Sequence, residues 1–163
     1  MSPRAAWRLE ELGFTDVYDY VGSKEDWFAN GLPREGTSTA VPWTGDLAHE
    51  APTCVPDERV GDLRERVTGS GFDLCVVLNE ERVVLGAIRG DALAKNPDAA
   101  VGEVMDRGPK TQRPNTPVED LLASSASYGV KSWIVTTPHG VYLGMFTRDE
   151  AERVLAEAPS RAR

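Results

Sequence analysis

Residues 53–91, TCVPDERVGDLRERVTGSGFDLCVVLNEERVVLGAIRGD, and residues 111–149, TQRPNTPVEDLLASSASYGVKSWIVTTPHGVYLGMFTRD, superpose without a gap when the chain is slid against itself by 58 residues, the separation of Pro56 from Pro114. Thr53 falls on Thr111, Val60 on Val118, Asp62 on Asp120 and Leu63 on Leu121. Further on, Gly71 falls on Gly129, Val77 on Val135, Val83 on Val141, Leu85 on Leu143, Gly86 on Gly144 and Asp91 on Asp149. These identities sit where helices and strands begin and end, which chance seldom arranges. They mark a duplicated supersecondary unit whose halves bury a face against each other.

Both copies switch period in the same order. After Thr-x-x-Pro, Val60, Leu63 and Val67 in the first copy and Val118, Leu121, Leu122 and Ser125 in the second fall on one helix face. Gly71 and Gly129 stand where those helices would end. Residues 74–78 and 133–136 then read as apolar strands. A charged turn at 79–82 and a Pro/Gly turn at 137–140 lead to second strands at 83–88 and 141–146, the pattern of a hairpin. Closing helices are expected at about 91–95 and 148–158. The expected fold class is α+β: two β-α-β-β-α repeats related by a pseudo-twofold axis.

The series Thr-x-x-Pro, Gly-h-x-x-h-h-h and Gly-h-h-Thr-x-x-acid, with h apolar, resembles the cystathionine-beta-synthase (CBS) domain. The tandem resembles a CBS pair, or Bateman module, over about residues 52–158. That resemblance implies a chain without catalytic machinery that binds an adenine nucleotide (AMP, ADP or ATP) between its repeats as a regulatory ligand, with no covalent cofactor. Physical chemistry points the same way. Two copies meeting through their sheets leave two symmetric clefts lined by apolar strand residues and closed by helix N-termini that favour anions.

Within the second copy, Gly144-Met-Phe-Thr147-Arg-Asp-Glu150 is similar to the family's Gly-h-h-Thr/Ser-x-x-Asp. The resemblance implies that the Thr147 hydroxyl reaches phosphate or ribose and that Glu150, one methylene longer than the family's Asp, takes the ribose hydroxyls. It implies that Lys131 meets phosphate, and that Thr53 and Val55 enter from the start of the other repeat. Thr147 with Glu150 also reads as a Ser/Thr-x-x-Glu capping box that satisfies helix N–H groups and binds nothing. The first copy carries Arg89, Ala92 and Asp73 at the places of Thr147, Glu150 and Lys131, and an acid there repels phosphate. One competent cleft at most is expected, with Arg89 a solvated surface residue.

Upstream, Ala5, Trp7, Leu9 and Leu12 read as a short amphipathic helix ended at Gly13, residues 16–21 as a strand, and residues 23–30 as a helix capped by Ser23 and stopped at Gly31. The runs 4–14, 17–22, 26–27 and 31–36 resemble the C-terminal third of a rhodanese domain, with the sulfur-carrying Cys position falling before Met1. An α-β-α remnant lacking its catalytic Cys is therefore expected, docked through Trp7, Tyr18, Tyr20, Trp27 and Phe28. Cys54 and Cys75 read as inert strand residues, and His49 and His139 as solvent-facing turn residues with no partner pattern. The expected division is 1–36 rhodanese-like, 37–51 linker, 52–100 first repeat, and 101–163 second repeat with its tail.

Composition bounds the function. Hydrophobic residues make up 40% and charged residues 27% of 163, enough apolar material for a packed core. No apolar run approaches a membrane span and no signal peptide opens the chain, so a cytoplasmic protein is expected, with no membrane partner. A formal charge of −8, with basic residues clustered only at Arg161 and Arg163, disfavours nucleic acid. Two Cys and two His make no metal site. The favoured reading is an adenine-nucleotide-binding regulatory module acting on an unknown effector protein. The alternatives are a dimerisation scaffold with degenerate clefts and an accessory protein of a sulfurtransferase. A homodimer is expected through Val60, Leu63, Val118 and Leu122, which are expected to leave apolar surface on equivalent helices of the two repeats.

Overall fold

Residues 74–78 and 132–136 are buried at every position, so each forms the centre of a sheet covered on both faces. The computed structural model describes residues 3–18, 20–33 and 41–157. In chain order the elements are α1 (Pro3–Glu11), α2 (Ser23–Ala29), α3 (Thr44–Leu47), β1 (Thr53–Cys54), α4 (Val60–Thr68), β2 (Leu74–Leu78), β3 (Val84–Arg89), α5 (Gly90–Lys95), α6 (Val101–Val104) and β4 (Asp106–Arg107). The second repeat follows with β5 (Thr111–Gln112), α7 (Val118–Ser125), β6 (Ser132–Thr136), β7 (Tyr142–Thr147) and α8 (Arg148–Glu157).

Two sheets result, ordered β1-β2-β3-β4 and β5-β6-β7. In each, a short first strand runs parallel to the central strand, which pairs antiparallel with the hairpin's second arm. Both hairpins carry a register shift at the same place, after Val77 in one and Val135 in the other. Strand alternation sorts the core into three layers. Leu74, Val76, Leu78, Ile134, Tyr142 and Met145 meet between the sheets. Cys75, Val77 and Ile88 face Val60, Leu63 and Val67 of α4. Trp133, Val135 and Phe146 face Val118, Leu121 and Ala151.

A pseudo-twofold axis passes between Val83 and Val141, the two equivalents bridged antiparallel. Its signature is reciprocal. The Val84 N–H donates to the Gly140 carbonyl at 3.0 Å and the Tyr142 N–H to the Arg82 carbonyl at 2.8 Å.

The span 37–51 lies partly outside the described residues, and its described part is structured. Trp43 bridges Pro117, α3 follows, and His49 bridges Met145 of β7. The approach to the second repeat mirrors this: Ala100 bridges Arg59, α6 follows, and β4 pairs with β3. Each arm thus adds to the sheet of the repeat it does not open. Gly144 permits the crossing. Its φ is +149°, and a Cβ there would stand 2.7 Å from the backbone N and O of His49. Gly86 plays the same part, where a Cβ would meet the Asp106 carbonyl at 2.8 Å.

Two expectations are corrected. Residues 16–18 and 20–21 form no strand, so the N-terminal segment is two helices stopped at Gly13 (φ +94°) and Gly31 (φ +61°), and the rhodanese-like reading finds no support. The cap expected of Ser23 is present, its hydroxyl accepting the Glu25 N–H at 3.4 Å. Val60, Leu63 and Val118 are buried inside the chain, because both helices spend their apolar stripe on their own sheet, so these residues leave no face for a second copy.

The docking expected of the N-terminal aromatics is narrow. Phe28 meets Trp43 edge-on at 5.0 Å, whereas Trp27 packs on Tyr20 and donates to the Pro33 carbonyl. Trp7 and Tyr18 are exposed. No helix among the described residues is long and apolar enough to cross a membrane.

Candidate functional site

The arm from His49 to Thr53 leaves β7 and enters the first sheet, and this crossing opens a cleft between the arm and the first repeat. Its volume is about 690 Å³, within the range of small-molecule sites. One wall is the backbone of residues 49–53. The other is Arg66, Ser70 and Phe72, from the end of α4 and the turn into β2. The His49 and Phe72 rings lie 5.5 Å apart at 48°, giving the cleft an aromatic flank on which a planar base could rest.

At its edge stands the start of α8. Thr147 and Glu150 form a complete capping box. The Thr147 N–H donates to Glu150 Oε2 at 2.7 Å, the Thr147 hydroxyl donates to the same oxygen at 2.9 Å, and the Glu150 N–H donates back to Thr147 Oγ1 at 3.3 Å. The second carboxylate oxygen lies 3.0 Å from His49 Nε2. Burial opposes ionisation of Glu150, but the two Thr147 donors and His49 outweigh it and hold the carboxyl below its usual range.

The expected site residues separate into groups. Thr147 and Glu150 are joined by hydrogen bonds, and Thr53 lines the cleft. Lys131 is exposed at the head of β6, and its carbonyl accepts the Arg148 N–H at 2.8 Å. Val55 does not line the cleft. Its N–H donates to Glu58 and its side chain faces solvent.

Two residues take places the sequence reading did not give them. His49 was expected to be an unpartnered turn residue. Instead it bridges to β7, leans on Phe72 and meets Glu150 across 101 residues of chain. The available signal was the arm itself: Thr44-Gly45-Asp46-Leu47 matches Val101-Gly102-Glu103-Val104 once the offset is shortened by one residue. Asp73, assigned to the first copy's cleft, accepts the Ser132 hydroxyl at 2.5 Å, and Ser132 pairs with Thr147. It therefore joins the first repeat to β6, beside the strand that ends at Thr147. In the first copy, Arg89 lies 3.9 Å from Asp73.

Both cysteines are buried. A hydrogen bond with Cys75, together with burial, pushes the Cys54 thiol up, the opposite of what a persulfide carrier requires. Among the described residues no group of three His, Cys, Asp or Glu could hold a metal.

No family model and no curated protein matches the sequence. Solved structures do match the fold, and these neighbours are CBS domain pairs. The CBS domain pair of protein MJ0100, in complex with 5′-methylthioadenosine and S-adenosyl-L-methionine, aligns with a TM-score of 0.61 at 15% identity, over 73% of this chain and 99% of that one. CBSX2 in complex with AMP aligns with a TM-score of 0.62 at 18% identity, over 71% and 96%. The cytosolic domain of the Mg2+ channel MgtE in complex with ATP aligns with a TM-score of 0.61 at 21% identity, over 69% of this chain and 48% of that one. The chain thus spans about half the length of that channel structure. The mixed α+β architecture with two small sheets is the fold of a CBS domain pair.

Proposed function

We propose that this chain is a non-catalytic, cytoplasmic regulatory module that binds an adenine-containing ligand in the cleft between residues 49–53 and Phe72, and passes its occupancy to an effector protein or to a second copy of itself. One observation carries the reading. The cleft is lined by the crossing arm and by Arg66, Ser70 and Phe72 of the first repeat, and its His49 meets Glu150 of α8, so a ligand there would touch the residue that links the two halves. Neighbours of the same fold bind AMP, ATP, 5′-methylthioadenosine and S-adenosyl-L-methionine. In this reading Thr53, which lines the cleft, together with Thr147, Glu150 and Lys131 beyond its lining, reads ribose and its 5′ substituent. The scaffold alternative has one observation in its favour: both Glu150 oxygens are already engaged, as in a cap that binds nothing.

Thermal melting with adenosine, AMP, ADP and ATP decides between them. A ligand at 100 times its Kd stabilises the native state by about 2.7 kcal/mol. For a chain of this size that raises Tm by roughly 5–10 °C. A shift with any of the four supports the binding module, and none with all four at millimolar concentration leaves the scaffold.

A further inference from the structure

We propose that the cleft selects an adenosyl compound whose 5′ substituent carries no net negative charge, and that Asp73, next to the cleft's Phe72, and Glu150, held by its His49, set this preference. The inference rests on the binding reading above and concerns what lies beyond the ribose. A phosphate needs an uncommitted cation, a free helix N-terminus, or both. Arg66 of the cleft, and Arg82, Arg148 and Arg89 beyond its lining, are spent on the chain's own acceptors. Arg66 donates to the Thr53 carbonyl at 2.6 Å and to Glu58 at 2.9 Å. Arg82 reaches both oxygens of Glu50 at 3.2 Å. Arg148 donates to the Val130 carbonyl at 2.8 Å, lies 3.5 Å from Glu152 and stacks over Trp133. Arg89 is turned toward Asp73.

The start of α8 is likewise taken. The anion that answers the Thr147 N–H is the chain's own Glu150 carboxylate, whose other oxygen is held by His49. Beyond the residues that line the cleft, Lys131 is exposed at the head of β6 and makes no ion pair among the described residues. It is flanked by an acid, because Asp73 accepts the hydroxyl of Ser132, the residue next to Lys131 in the chain, and itself follows Phe72 of the cleft wall. A 5′-phosphate brought toward Lys131 therefore enters the field of Asp73 and Glu150. A thioether or a sulfonium at the same place meets no such repulsion, and a sulfonium gains from both carboxylates.

Calorimetric titration of the full chain with adenosine, 5′-methylthioadenosine, S-adenosyl-L-methionine, AMP and ATP tests this. The first three should bind at least tenfold more tightly than AMP, with ATP weaker still. Asp73→Asn should tighten AMP several-fold and leave 5′-methylthioadenosine within twofold. AMP or ATP binding the wild-type chain as tightly as adenosine overturns the selectivity while keeping the adenine site. No heat from any of the five overturns the site itself. The wild-type series decides the selectivity whether or not Asp73→Asn folds.

Discussion

Glu150 shows how one side chain can answer to two demands. As the third helical residue of α8 it closes a capping box, and as the acid of Gly-h-h-Thr-x-x-acid it is the residue proposed above to read a ribose. Its depressed carboxyl fixes the sign of a pH effect. A carboxyl ionised more easily in the folded chain adds stability above its ordinary value of 4.5, and that stability is lost as pH falls through the lower folded value. The urea midpoint of wild type should therefore exceed that of Glu150→Gln at pH 7, by a contact worth on the order of 1 kcal/mol, and the two should converge toward pH 3. A gap that stays constant over that range would show that ionisation plays no part. Gly144 acts through space instead. Alanine there would adopt a left-handed φ and push into the His49 backbone, so Gly144→Ala should cost about 1–3 kcal/mol in strain alone, read as a lowered denaturation midpoint. An unchanged midpoint would mean that the crossing arm is not held against β7.

The ends of helices α4 and α7 fall at Thr68 and Ser125, ahead of Gly71 and Gly129. The helices themselves were legible from their periodicity, because that signal is local. Which way their apolar faces turn was not. Periodicity marks a stripe without saying what covers it, and here each stripe lies on its own sheet. Leu63→Ala and Val118→Ala should accordingly destabilise the chain, Leu63→Ala by about 2–5 kcal/mol, while light scattering shows the association state unchanged. Loss of a dimer without loss of stability would return these residues to an interface. The short elements α3, α6 and β4 escaped notice for a different reason. Four-residue helices and a two-residue strand carry too few positions for a period to emerge, and tertiary pairing alone holds them.

At the scale of the molecule, three apolar layers alternate with two sheets, and the segment 3–33 stands apart from them. It touches the body through Phe28 and Trp43 and exposes Trp7, Leu12, Phe14, Tyr18 and Val21. Hydrogen exchange should follow this contrast. Amides of residues 74–78 and 132–136, buried throughout, should exchange slowest, near the global unfolding limit, and those of 5–33 fastest. Equal protection in the two regions would contradict the layering. Ligand in the cleft should further protect residues 49–53 and the start of α8 together, since His49 of the cleft wall is bonded to Glu150.

The duplication and the order of elements within each copy were determined by sequence alone, since both are written in nearest-neighbour periods and a repeat displays its own register. The capping box was legible too, because its two residues lie three apart. Tertiary structure decided what joins distant stretches: the arm of residues 41–51 adding to the second sheet, His49 meeting Glu150, and Asp73 standing beside Ser132. The physical reason lies in the duplication itself. Two equivalent sheets offer an arm two equivalent edges, and an acid two equivalent clefts. Only the packing of sheet against sheet, with Gly144 and Gly86 leaving room for the crossings, selects between them.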